Sequence, residues 1–400
     1  MKFPFNPAAP AYDARAIHNT LQRALASAGL DNRAGPMQGV SETIRRALLA
    51  AGLTADTLPH GASTAPVIDV VARRVDVADG MGPAATDLPS TAPAPAQAQA
   101  PRADASREFR NPAGQLTYKV HVPVRTSGAP RPLLVMLHGC TQSVDDFAAG
   151  TRMNPLADEH DVLVLYPEQA AHANASRCWN WFRPQDQGRD GGEPALIAGI
   201  VREVAARHGA DPQRIFVAGL SAGAAMAVVL GQAYPDLFAG VGAHSGLPYA
   251  SAHDMATALA AMKGGRSGLP GGRGATQGPP NKAARPMPTI VFHGDRDHTV
   301  APSNGAQIVQ QAQAAYQAQA GAMTLHAQTQ DGQAGGGRRY SRTVLADAAG
   351  QPQIESWTLH GAGHAWSGGD SSGSYTDGSG PDASAEMLRF FLALRRGRSA

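Results

Sequence analysis

The chain has 400 residues, 43% of them hydrophobic and 16% charged, enough apolar material for a sizeable core and too much length for one ordinary domain. Lys+Arg 34 against Asp+Glu 32 leaves a formal net charge of +2, without the basic excess of a general nucleic-acid binder. No apolar run approaches the ~18 residues that span a bilayer, and two cysteines exclude a disulfide-dense scaffold or a Cys-rich zinc site.

The N-terminus, MKFPFNPAAPAYDARAIHNT, lacks the apolar core of a secretory signal. The expectation is a soluble, cytosolic-looking protein with one irregular region. TLQRALASAGL (20–30) and TIRRALLAAGL (43–53) are near copies, each with an apolar stripe at helical spacing and a closing glycine. They predict a small helical segment over 1–55, either a plain hairpin or an amphipathic element that docks on an apolar surface. Residues 56–106 are rich in Ala, Pro, Thr and Gly, too poor in apolar surface to offset their ordering entropy, and read as a disordered linker.

From 107 to 398 the texture is that of one catalytic domain. LTYKVHVPV (116–124) alternates like a strand. PLLVMLHG (132–139), DVLVLYPE (161–168), RIFVAGL (214–220), FAGVGAHSG (238–246), PTIVFHGD (288–295) and IESWTLHG (354–361) are short apolar runs that suit buried strands. Helices are predicted over 194–208, 222–233, 304–318 and 384–394. This alternation predicts an α/β class: a doubly wound, mostly parallel sheet flanked by helices. Lys263–Pro286, packed with Gly and Pro, reads as a mobile insertion.

Gly219-Leu220-Ser221-Ala222-Gly223 has the pattern G-x-S-x-G, which alone is a weak signal; Gly369-Asp370-Ser371-Ser372-Gly373 matches it too. Context separates them. Ser221 lies between a buried strand and a helix, where a sharp turn lifts the hydroxyl above the sheet. Ser371 sits in a Ser/Gly/Asp loop with no strand before it. Ser221 is therefore the candidate nucleophile.

A serine hydroxyl needs a base, and the base needs an orienting acid, in the chain order Ser, acid, His. Asp297 is favoured as the acid, two residues into the loop after the 288–295 strand, with Asp295 as the alternative. Among His298, His326, His360 and His364, the favoured base is His364, in the glycine-rich loop GAGHAWSGG (361–369). The oxyanion of acyl transfer needs N–H donors. Ala222 should supply one and Cys140, after the early strand, the other, with Thr141 possible; His138 reads as a brace. Trp179, Trp181 and Phe182 in CWNWF, with Trp366, offer an aromatic lining for substrate. Cys140 and Cys178 both fall in site loops, and a disulfide between them is expected, although such bonds are uncommon in a reducing cytosol. There is no H-E-x-x-H pattern, P-loop or Rossmann fingerprint, so no metal and no cofactor is expected.

LHGCTQ, LADEHDVLVLYPEQ, CWNWF, RIFVAGLSAGAAMA, YPDLFAGVGAHSGLPY, FHGDRDHTVAPSN and GAGHAWSGG together resemble the polyhydroxybutyrate depolymerase family of α/β-hydrolase esterases, over about 107–396. The resemblance implies an α/β-hydrolase fold and a triad of Ser221, Asp297 and His364, with Cys140 in the oxyanion loop. It also implies hydrolysis of short-chain poly(3-hydroxyalkanoates), with feruloyl or acetylxylan esterase activity as the alternative and a silent binding scaffold less favoured. The implied partners are a polyester or small ester and a storage-granule surface. The implied setting is cytoplasmic or granule-associated, with an extracellular one as the alternative. Gly223-Ala224 stands where the family commonly has Gly-Gly.

Overall fold

The computed structural model describes residues 106–124, 128–265, 286–318 and 324–394. The segment expected to be helical over 1–55, the linker over 56–106 apart from Ser106, and most of the Lys263–Pro286 insertion lie outside those residues.

Twelve strands are found among the described residues. They are β1 (Arg107–Asn111), β2 (Gly114–His121), β3 (Arg131–Leu137), β4 (Leu163–Glu168), β5 (Ala210–Leu220), β6 (Gly240–His244), β7 (Thr289–Gly294), β8 (His326–Gln333), β9 (Arg339–Ala346), β10 (Pro352–Leu359), β11 (Trp366–Ser367) and β12 (Thr376–Asp377). The first ten form one sheet in the order β1-β2-β4-β3-β5-β6-β7-β10-β9-β8. The six central strands, from β4 to β10, are all parallel. β1 and β2 at one edge and β9 and β8 at the other are antiparallel.

The apolar runs explain why the sheet is covered on both faces. Along β3, Leu133, Val135 and Leu137 belong to one buried cluster, and Leu134 and Met136 to another. Successive side chains point to opposite faces of a strand, so a run without polar residues demands cover on both. On one face α3 (Gly192–His208), α4 (Ala222–Ala233) and Ile308 of α6 (Ser303–Gln317) provide it. On the other, α1 (Val144–Thr151), α2 (Met153–His160) and α7 (Ala383–Ala393) do so. A further helix, α5 (Met255–Met262), is capped by Asp254, whose carboxylate accepts the Thr257 N–H. No helix among the described residues is long and apolar enough to cross a membrane.

The doubly wound, mostly parallel sheet is as expected, but β1, β8, β9, α1, α2 and α5 were not anticipated. β8, HAQTQDGQ, is exposed almost throughout and has no apolar alternation. It forms because β9 offers a complete antiparallel partner, with Thr329 and Thr343 hydroxyls 2.9 Å apart across the pair. A polar edge strand also resists pairing with other chains.

β3 lies between β4 and β5, so the direction of winding reverses about it. In open α/β sheets a crevice forms at the carboxyl ends of the strands at such a point. The loops after β3, β5, β7 and β10 all open there.

Candidate active site

Ser221 sits between the last residue of β5 and the first of α4, with φ 57° and ψ −118°. This region is costly for a residue with a Cβ, by about 1–3 kcal/mol. Two hydrogen bonds hold it there: the Ser221 N–H donates to the His244 carbonyl (2.9 Å), and the Ser221 carbonyl accepts from the Ala225 N–H (2.9 Å). The glycines of the motif serve close approach. A methyl at Gly219 would lie 2.6 Å from the Leu137 carbonyl oxygen at the end of β3, and one at Gly223 would overlap that same oxygen. The turn is thus pressed against the end of β3. Ser371, by contrast, is exposed in a turn whose Asp370 carboxylate accepts the Ser372 N–H.

The loop after β7 brings Asp297 to His364, with Nδ1 2.7 Å from Oδ2. The other oxygen, Oδ1, accepts the N–H groups of Thr299 (2.9 Å) and Val300 (2.8 Å). Burial alone would push the Asp297 carboxyl up. The hydrogen bond and charge of His364, the Val300 N–H and the nearby His293 outweigh it and hold the carboxyl below its usual range. A carboxylate only accepts, so His364 donates through Nδ1. Asp295 goes elsewhere, to His360, with Nδ1 3.0 Å from Oδ2. His298 is exposed, and His326 lies on β8 at the far edge of the sheet.

After β3 the chain turns sharply through His138, Gly139 and Cys140. The Thr141 N–H is already engaged by the Ser176 carbonyl at 2.7 Å, which removes Thr141 as an oxyanion donor. The N–H groups of Cys140 and Ala222 have no protein acceptor among the described residues. His138 is fully buried; its Nδ1 donates to the Gly139 carbonyl (2.8 Å) and its Nε2 accepts the Gln169 N–H (3.1 Å). Burial drives its pKa down to about 4, so the ring is a neutral brace. Gln142 adds a second brace, accepting the Gly139 N–H at 2.9 Å and donating to Asp146.

Cys140 and Cys178 form a disulfide that ties this loop to the CWNWF segment. Glu193 fixes the far end: its buried carboxylate accepts from Gln169 Nε2, the Asn180 N–H and Asn180 Nδ2. Burial and the neighbouring Asp186 push Glu193 up to about 7 against those three bonds.

The tryptophans correct the expected aromatic lining. Trp179 and Trp366 are enclosed, 0% and 1% exposed, and Trp181 is only 6% exposed against Phe182. A buried indole N–H needs an acceptor. Trp179 finds the His138 carbonyl (3.1 Å), and Trp366 finds Ser384 Oγ (3.1 Å). Their place is under the loops, as support. The exposed aromatic is Tyr375, 46% exposed, with φ 53° and its hydroxyl 3.1 Å from Thr141 Oγ1. Its carbonyl accepts the Trp366 N–H, so it bridges the loop after β3 and the loop after β10.

Sequence reasoning also missed His244, whose signal was its position at the end of a buried strand before Ser245-Gly246. Its carbonyl holds Ser221, and its Nε2 accepts the Ser367 N–H (3.0 Å), three residues after His364. Burial, with the His293 and His364 charges, lowers its pKa to about 3.

A doubly wound sheet with a strained serine elbow and a buried Asp–His pair at its carboxyl edge defines an α/β-hydrolase. The acetyl xylan esterase of Aspergillus awamori has the same fold, with a TM-score of 0.52 at 19% identity, covering 72% of this chain and all of that one. Residues 116–335 match the family model described as Esterase PHB depolymerase, and the chain belongs to that family. It is 37% identical over 258 residues to poly(3-hydroxyalkanoate) depolymerase C of Paucimonas lemoignei, covering 63% of this chain and 58% of the relative. It is 28% identical over 286 residues to the poly(3-hydroxybutyrate) depolymerase of Ralstonia pickettii, covering 66% and 55%. The chain thus spans under two thirds of the length of either relative.

Proposed function

We propose that this protein is a serine esterase that hydrolyses short-chain poly(3-hydroxyalkanoate), with Ser221 as nucleophile, His364 as base and Asp297 as its orienting acid. The 2.7 Å His364–Asp297 hydrogen bond, together with the strained elbow at Ser221, carries the reading. Kinship with the two depolymerases supports the substrate class. Ser221 Oγ attacks the ester carbonyl while His364 Nε2 takes its proton. The oxyanion forms opposite the free N–H groups of Cys140 and Ala222. The carbon–oxygen bond to the leaving chain breaks, and His364 returns the proton to that oxygen. Water, deprotonated by the same nitrogen, then releases the acyl group as a hydroxyacid and restores Ser221.

The Cys140–Cys178 bond favours an oxidising, extracytoplasmic setting over a granule-bound one in the cytosol. The test is product release from native granules, amorphous poly(3-hydroxybutyrate) and soluble feruloyl and acetyl esters, with wild type and Ser221→Ala. Polymer hydrolysis that falls by about 10⁴-fold or more in the variant is expected. Turnover of the soluble esters alone would transfer the enzyme to the small-ester branch. Preference for native granules over amorphous polymer would return it to the storage-granule setting.

A further inference from the structure

We propose that Asp295 and His360 form a positioning clasp that sets the geometry of the acid and base loops; the proposal rests on the reading of Ser221, Asp297 and His364 as the reacting groups. Two Asp–His pairs join the same two loops. In the inner pair Asp297 is buried and the His364 side chain is 11% exposed, whereas the side chains of the outer pair, Asp295 and His360, are 39% and 40% exposed. Asp295 makes two contacts with the root of the histidine loop. Its Oδ2 lies 3.0 Å from His360 Nδ1, and its Oδ1 accepts the Gly361 N–H at 2.6 Å. Two backbone bonds run beside them: Asp295 N–H to the Leu359 carbonyl (3.1 Å) and Arg296 N–H to the Ala362 carbonyl (3.0 Å).

The far side of the His360 ring is tied to β9. Its Nε2 lies 2.9 Å from Ser341 Oγ, and the Ser341 hydroxyl donates to Asp331 on β8. Ser341 lies within β9 with its hydroxyl already donated to Asp331, so Ser341, His360 and Asp295 do not form a second nucleophilic triad. What remains is attachment. Arg338 adds a further hold, donating from Nη1 to the His360 carbonyl at 3.0 Å. The loop that follows, Gly361-Ala362-Gly363, has little stiffness of its own, with Gly361 at φ 74°. A base must be held within about 0.5 Å of its productive place. The outer pair supplies that constraint four residues before His364 and two before Asp297.

The test is steady-state kinetics of the full chain on p-nitrophenyl butyrate, for Asp295→Ala, Asp295→Asn, His360→Ala, the Asp295→Ala/His360→Ala double variant and Ser221→Ala, with thermal midpoints. Asp295→Ala is expected to lower kcat about tenfold with KM within about twofold of wild type. Asp295→Asn, whose Oδ1 still accepts from Gly361, recovers most of that loss, and adding His360→Ala to Asp295→Ala costs little more. If Asp295→Ala does not fold, His360→Ala alone carries the same expectation. Wild-type kcat in both single variants would overturn the clasp, as would equal losses in Asn and Ala that track a fall in thermal midpoint. Ser221→Ala separates the two failures: turnover by that variant would sink the site reading itself.

Discussion

Asp295 and Asp297 stand two residues apart on one loop, yet they meet different histidines and live in different dielectrics. Asp297 is buried, with one oxygen committed to two backbone N–H groups and the other to His364. An amide there would present N–H₂ to a ring nitrogen that already donates, favouring the tautomer with its lone pair on the wrong side. Asp297→Asn is expected to lower kcat on a soluble ester by about 10⁴-fold, with little change in thermal midpoint. A loss under about tenfold would show that another group orients the base. The choice between Ser221 and Ser371 was legible because a buried strand and a small-residue helix flank only the first. The choice between the two aspartates was legible only in part: Asp297 is favoured for its place further into the loop, but the register of β7 against β10 is what assigns the two their partners. The tryptophans misled for a different reason: an aromatic beside a catalytic loop reads alike from sequence whether it lines the crevice or supports it. Here indole N–H groups with buried acceptors mark the support.

Among the elements, the strands that carry the site were the easiest to read. β3, β7 and the second half of β5 are mainly apolar runs buried on both faces, β10 is buried only in part, and each delivers its loop to the same edge. β8 and β9 left little trace, because an edge hairpin is held by backbone pairing and hydroxyl contacts that impose no apolar pattern. The eight-residue helices α1 and α2 were missed because each spans only about two turns before a left-handed residue, Arg152 or Asp161, ends it. The Cys140–Cys178 bond couples the loop after β3 to the loop after β4 across 38 residues. A crosslink of that span lowers the entropy of the unfolded chain by the equivalent of about 4 kcal/mol. Cys178→Ala is therefore expected to lose about 2–4 kcal/mol in urea unfolding. Its kcat should also fall, since the N–H of Cys140 is no longer held. A variant with wild-type stability and kcat would show that His138 and Gln142 suffice to fix the oxyanion loop.

For the whole molecule, acid stability follows from three buried groups that pull in opposite directions. His138 and His244 stay neutral in the fold down to about pH 4 and about pH 3, while in the unfolded chain they take up protons near pH 6.5. Between those limits the unfolded state binds more protons, so both histidines remove stability as pH falls below about 6.5. Glu193, raised to about 7, does the reverse: the fold binds its proton first, and stability rises as pH falls from about 7 to 4.5. Asp297, held low, adds a loss only below the ordinary carboxylate range. Urea midpoints are expected to decline gently from pH 7 to 5 and steeply below about 4.5. Glu193→Gln removes the opposing contribution, so its decline should already be steep from about pH 6.5. Parallel curves for the two proteins would show that Glu193 is ionised throughout.

The parallel sheet is not laid down in the order in which it is synthesised. β10 pairs with β7 across more than one intervening element. On the proposed assignment, a polypeptide that ends between Asp297 and His364 carries the serine and the acid without a proton acceptor, so its hydroxyl is expected to stay inert. The acceptor reaches the loop after β7 only by the pairing of a strand synthesised much later.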